Sequence, residues 1–134
     1  AAYITALHAL DADFRSGLSN CALDTTIVGH DSFGYTGARY GFTSLAIADV
    51  HGGELSARVI ADITDAVSEL GIRHVFVETL TSPKLSETIA RETGAETLVL
   101  DTIHGLTSDA AEDQGYISLM RENLRNLRTA LQCL

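Results

Sequence analysis

Four short apolar runs in this 134-residue chain each end on side chains able to ligate a metal or move a proton: His30, Asp49, Glu78 beside Thr79, and Asp101. An imidazole and a carboxylate in one volume make a donor set for a first-row divalent cation, since nitrogen suits zinc and carboxylate oxygen suits most divalent ions. Two such groups leave the ion half coordinated. Taken singly, a histidine or an aspartate past a strand is an ordinary loop or cap residue, so the chemistry depends on whether the fold returns His30 and Asp101 to one place. Other chemistries lack their loops, because the chain contains no GxGxxG, no Walker A sequence and no GxSxG elbow. A phosphoacceptor site would want more than the single Asp31 after His30 and a lysine near the end, where only Arg121, Arg125 and Arg128 occur. Glu78 and Asp101 as an acid and base pair would need sugar-binding aromatics, but there is no Trp and aromatics are 6% of the chain. His8, His51 and His74 have no partner at chelating spacing and read as structural.

The elements that must position these residues follow from periodicity. Residues 25–29 (TTIVG) and 42–48 (FTSLAIA) read as buried strands, and 73–78 (RHVFVE) and 96–100 (ETLVL) as a third and fourth strand. Between them, Asp31 or Ser32 can cap a helix over 33–40 that Gly41 stops. Leu55, Val59, Ile60, Ile63, Val67 and Leu70 form one helical stripe over 54–70, ended by Gly71. Ser82 and Pro83 start a helix through Arg91, closed by Gly94. A loop of roughly a dozen residues leads to a last helix carrying Tyr116, Ile117, Met120, Leu124, Leu127 and Leu131. The chain opens on a further helix, with Tyr3, Leu7, Leu10 and Phe14 at helical spacing, Ile4 and Leu18 widening the stripe, and no N-cap residue before it, as in a helix cut partway along its length. Strands separated by helices run parallel. The expected fold is therefore a three-layer α/β sandwich around a four-stranded parallel sheet. In such a sheet ligands bind beyond the carboxyl ends of the strands, which is where His30, Glu78 and Asp101 fall.

Composition narrows the partners. Nine basic against eighteen acidic residues give a net charge of −9, which argues against a phosphate backbone as ligand. That charge attracts cations only weakly, because surface charges are screened within about 8 to 10 Å. No apolar run approaches the roughly 20 residues of a membrane span, and no signal segment opens the chain, so any such segment is expected to have been removed or never to have belonged to it. Cys21 and Cys133 sit near opposite ends of the chain, far from any CxxC spacing. They are either two buried thiols or a disulfide. The disulfide is the preferred reading, since it would staple the first helix region to the last and imply an oxidising compartment.

Four stretches taken in order carry a resemblance: HDSFGYTGARYGF (30–42), SARVIADITDAVSELGIRHVFVE (56–78), SPKLSETIARETGAETLVLD (82–101) and GYISLMRENLRNLRTAL (115–131). Together they resemble the C-terminal lobe of the zinc/manganese-binding solute receptors of metal-uptake ABC transporters. The resemblance implies two lobes joined by a long rigid helix, with residues 1–19 the end of that helix and 20–134 the C-terminal α/β lobe. It implies that His30 and Asp101 ligate the ion from this lobe, and that two further histidines come from an N-terminal lobe. Glu78 then either orients the His30 ring through its other nitrogen or caps a nearby backbone N–H. Thr102, Ile103 and His104 stand where many relatives have a Pro and a Gly, so His104 is either an extra ligand or a solvated loop residue.

The implied function is capture of an ion outside the cytoplasm, at a lipid-anchored cell surface or in the periplasm, and its delivery to a membrane permease. No bond is made or broken, so no enzyme activity is expected. The imidazole favours zinc, with manganese or iron as alternatives. A metal-stapled surface adhesin is the other class, and a small α/β enzyme has no nucleophile to nominate. Protons should compete with the metal as pH falls through the imidazole range, about 6.5 for an unperturbed side chain. The isolated chain, with two ligands, is expected to fold but to bind zinc weakly or not at all.

Overall fold

A computed structural model describes residues 2–29, 33–46, 57–78, 84–101 and 115–134, apart from the side chains of Val59, Glu78 and Leu85. The element order is α1 (Ala2–Gly17), β1 (Thr25–Val28), α2 (Gly34–Tyr40), β2 (Thr43–Ala46), α3 (Ala57–Leu70), β3 (His74–Glu78), α4 (Lys84–Thr93), β4 (Glu96–Leu100) and α5 (Tyr116–Ala130). The strands form one sheet in the order β2-β1-β3-β4, every described pair parallel. No helix among the described residues is long and apolar enough to cross a membrane.

The layers follow from the strand period. Side chains alternate faces along a strand, and here Ile27 and Val75 enter one core while their neighbours Val28 and Phe76 enter the other. On the first face Ile63 and Val67 of α3 and Ile89 of α4 cover Ile27 and Val75. On the second, Leu10, Phe14 and Leu18 from the α1 region pack with Phe33, Phe42, Leu100 and Leu127. The expected three-layer sandwich is therefore observed. The chain steps from β1 to β2 in one direction, and then returns past β1 to β3. That reversal sends α2 and α3 to opposite faces.

Turn chemistry matches the sequence at three helix ends, where Gly41, Gly71 and Gly94 adopt φ 88°, 70° and 78°, a region that L side chains rarely enter. α4 runs to Thr93 rather than Arg91, up to the last residue before that glycine. α2 starts at Gly34 with Phe33, rather than Asp31 or Ser32, at its N-cap and no side-chain capping bond; the start expected at Ser82 and Pro83 lies outside the described residues, as do the last residues of the 42–48 strand and the first of the 54–70 helix. The stripe of α1 is buried only from Leu10 onward, and Tyr3 and Ile4 are 58% and 56% exposed. α1 packs against α5, and the first turn contributes nothing to that core.

Cys21 and Cys133 form a disulfide. Backbone hydrogen bonds flank it, from the N–H groups of Ala22, Leu23 and Leu134 to the carbonyls of Gln132, Leu131 and Asn20, at 3.0 to 3.1 Å. Gln132, at φ 55°, turns the chain out of α5 toward Cys133.

Candidate metal centre at the carboxyl edge of the sheet

The sheet brings distant residues to one edge by register alone. Ile27 of β1 is level with Val75 of β3, and Val75 is level with Thr97 of β4. From that row the strands run on in the same direction, to Val28 in β1, to Glu78 in β3, and to Leu100 in β4, which pairs with Glu78. Asp101 follows directly. The sheet changes winding direction between β1 and β3, and crevices for ligands open at such switch points. Adjacent strands lie about 4.8 Å apart, so β1 and β4, with β3 between them, are about 10 Å apart.

Asp101 is half-buried, and its backbone is held from across the sheet edge. The side-chain amide of Asn123, on α5 and 2% exposed, accepts a hydrogen bond from the Asp101 N–H and donates one to the Asp101 carbonyl, both at 2.8 Å. One turn later Asn126 donates to the carbonyl of Val99 at 2.7 Å. Sequence reasoning passed over Asn123, because an asparagine within an apolar helical stripe carries no chemical signal until its partner is known.

His30 and His104 lie outside the described residues, as does the side chain of Glu78. Neither the ligand pair His30 and Asp101 nor the role of Glu78 is thus resolved by side-chain geometry. Among the described residues no three of His, Cys, Asp or Glu converge in a cluster able to hold a metal. His74 starts β3 at the opposite edge, its Nε2 3.9 Å from the Glu96 carboxylate, which fits the structural role read from sequence.

Behind the edge, α2 is tied to α1 through Asp11. Its carboxylate accepts hydrogen bonds from the Tyr40 hydroxyl at 2.7 Å, the Arg15 Nε at 3.0 Å and the Arg39 Nε at 3.1 Å. The Tyr40 hydroxyl first, then Arg15, holds the Asp11 carboxyl well below the usual carboxylate range. Burial, followed by the bond to Asp11, pushes the Tyr40 hydroxyl up. The Tyr40 ring packs on Phe14 with centroids 5.0 Å apart, so α2, which follows His30 in the chain, is anchored to the core as well as to α1.

Comparison with known proteins adds function to this geometry. A family model described as zinc-uptake complex component A, periplasmic (ZnuA), matches residues 1–130. The chain is similar to the zinc-binding protein AdcA of Streptococcus pyogenes, 35% identical over 130 residues, which are 96% of this chain and 25% of that protein. It also resembles the Zn(II)-bound ZnuA-like domain of Streptococcus pneumoniae AdcA, with TM-score 0.77 and 30% identity over 97% of this chain and 49% of that one. A third likeness is to the laminin-binding protein of Streptococcus agalactiae, described as bifunctional with adhesin and metal-transporting activity, with TM-score 0.79 and 25% identity over 92% of this chain and 48% of that one. The chain thus spans a quarter of the curated relative and about half of each solved structure.

Proposed function

The chain belongs to the ZnuA family of zinc-uptake components, and on that premise we propose that it is one lobe of an extracytoplasmic zinc receptor that delivers its ion to the permease of an ABC transporter. The observation that carries the reading is the all-parallel sheet, which sets the ends of β1, β3 and β4 at one edge with Asp101 the first residue past β4. His30 follows the last residue of β1 by two positions, so covalent geometry keeps its Cα within about 7 Å of that of Val28. Two strands' separation is a span that an imidazole and a carboxylate can bridge with two metal bonds of about 2 Å each.

In this reading His30 and Asp101 bind the ion, Glu78 orients the His30 ring, and His104 is an extra ligand or a solvated neighbour. An N-terminal lobe supplies two histidines. Residues 1–19 are the end of the helix linking the lobes, and 20–134 form the C-terminal lobe. The large apolar side chains of Tyr3 and Ile4, exposed on α1, support this by offering surface for that lobe to cover. The joined cysteines support a compartment outside the cytoplasm, the periplasm or a lipid-anchored position at the cell surface. An imidazole ligand supports zinc over manganese. The protein's task is binding and release, with a neutral imidazole and an ionised carboxylate as the competent forms.

Calorimetric titration of the intact receptor tests this. His30→Ala is expected to remove most of its zinc affinity, and an unchanged Kd would take His30 out of the site. The adhesin activity described for the Streptococcus agalactiae relative favours one second reading, a surface adhesin stapled by the same metal. It predicts binding to immobilised laminin that a chelator abolishes, whereas a receptor devoted to transport shows none in either condition.

A further inference from the structure

We propose that Asn123 is a positioning residue of the metal site, setting from α5 where Asp101 presents its carboxylate. The inference rests on Asp101 being a ligand. Among the described residues β4 has β3 as its one strand neighbour, so its outer backbone groups need partners from elsewhere. Residues 99 and 101 share a parity and face that outer edge together. α5 meets them with two amides in successive turns, Asn126 on the Val99 carbonyl and Asn123 on both backbone groups of Asp101. The amide orientation of Asn123 is set by its partners, since a flipped amide would oppose donor to donor and acceptor to acceptor.

The two bonds of Asn123 grip Asp101 on either side of its Cα. With the N–H and the carbonyl both held, the backbone that carries the side chain is fixed, and only the side-chain torsions remain to place the carboxylate. Asn123 is itself buried, and its Nδ2 also lies 3.6 Å from the Met120 Sδ. Metal ligands tolerate errors of about 0.2 Å, and loss of the groups that orient them typically costs about 10- to 100-fold in affinity. Asn126 grips the same strand two residues earlier, where no ligand is attached. It is the internal control for a purely structural role.

The test uses the intact receptor, zinc titration, the visible spectrum of the Co(II) form and melting of the metal-free protein. Asn123→Leu keeps the volume and removes both bonds; it is expected to weaken zinc binding about 10- to 100-fold and to change the Co(II) spectrum. Asn126→Leu is expected to lower the melting temperature and leave affinity and spectrum unchanged. Asp101→Ala is expected to weaken binding at least as much as Asn123→Leu, and adding Asn123→Leu to it should cost no further affinity. If Asp101→Ala leaves affinity unchanged, Asp101 is not a ligand and the site reading itself fails. If Asp101→Ala abolishes binding while Asn123→Leu behaves like Asn126→Leu, the site stands and the positioning role is overturned. Should Asn123→Leu not fold, Asn123→Ser takes its place with the same two outcomes.

Discussion

Asp11 shows how little of a residue's role is carried by its type. In sequence it is one of the chain's eighteen carboxylates, on the opening helix; in the fold it gathers three donors from α1 and α2. Its carboxyl is depressed below the ordinary value of 3.8, so the ionised form is the one the fold stabilises. A depressed carboxyl stabilises the protein at pH above its unfolded value and loses that contribution as pH falls below it. Asp11→Asn is therefore expected to melt at a lower temperature than the unaltered protein at pH 6, with the difference shrinking between about pH 4 and pH 2. A gap independent of pH would mean that charge at Asp11 contributes nothing. Asp101 stands at the other pole of legibility. Its position one residue past a β-rich run was readable, but the amide that holds it lies 22 positions away, a distance no local pattern encodes.

The elements were the most legible level, because helix and strand periods and glycine stops are local properties. The strand starting at Thr25, the α3 stripe and the stops at Gly71 and Gly94 all follow from nearest-neighbour chemistry. What periodicity misplaced was the extent of burial. The α1 stripe reads as uniformly core-facing, yet only its second half meets α5 and the sheet, since burial depends on what lies opposite. The joining of the first helix region to the last is also an element-scale device. The disulfide closes a separation of 112 residues, and chain entropy alone makes such a loop worth on the order of 4 to 5 kcal/mol, an upper figure. Reduction, or Cys21→Ser with Cys133→Ser, is expected to lower the melting temperature by many degrees. No change on reduction would show that the three backbone bonds between these segments hold the ends together unaided.

At the scale of the whole molecule, the parallel sheet brings the ends of separate strands to one edge, and in the proposed reading a lobe built this way offers one side of a cage. Zinc prefers four ligands. The 134-residue chain alone is therefore expected to bind zinc orders of magnitude more weakly than the intact receptor when both are titrated calorimetrically. Nanomolar affinity in a monomeric sample of the chain would show that no second lobe is required. By itself the sequence determined the α/β class, the parallel arrangement, the family and the candidate ligands His30 and Asp101, because each is encoded in residue types at short range or in ordered motifs. Only the tertiary structure decided the strand order 2-1-3-4, the convergence of Asp11 with Tyr40, and the grip of Asn123 on Asp101. Those depend on which faces and edges meet after collapse, and the energy that selects them comes from packing and paired polar groups far apart in the chain.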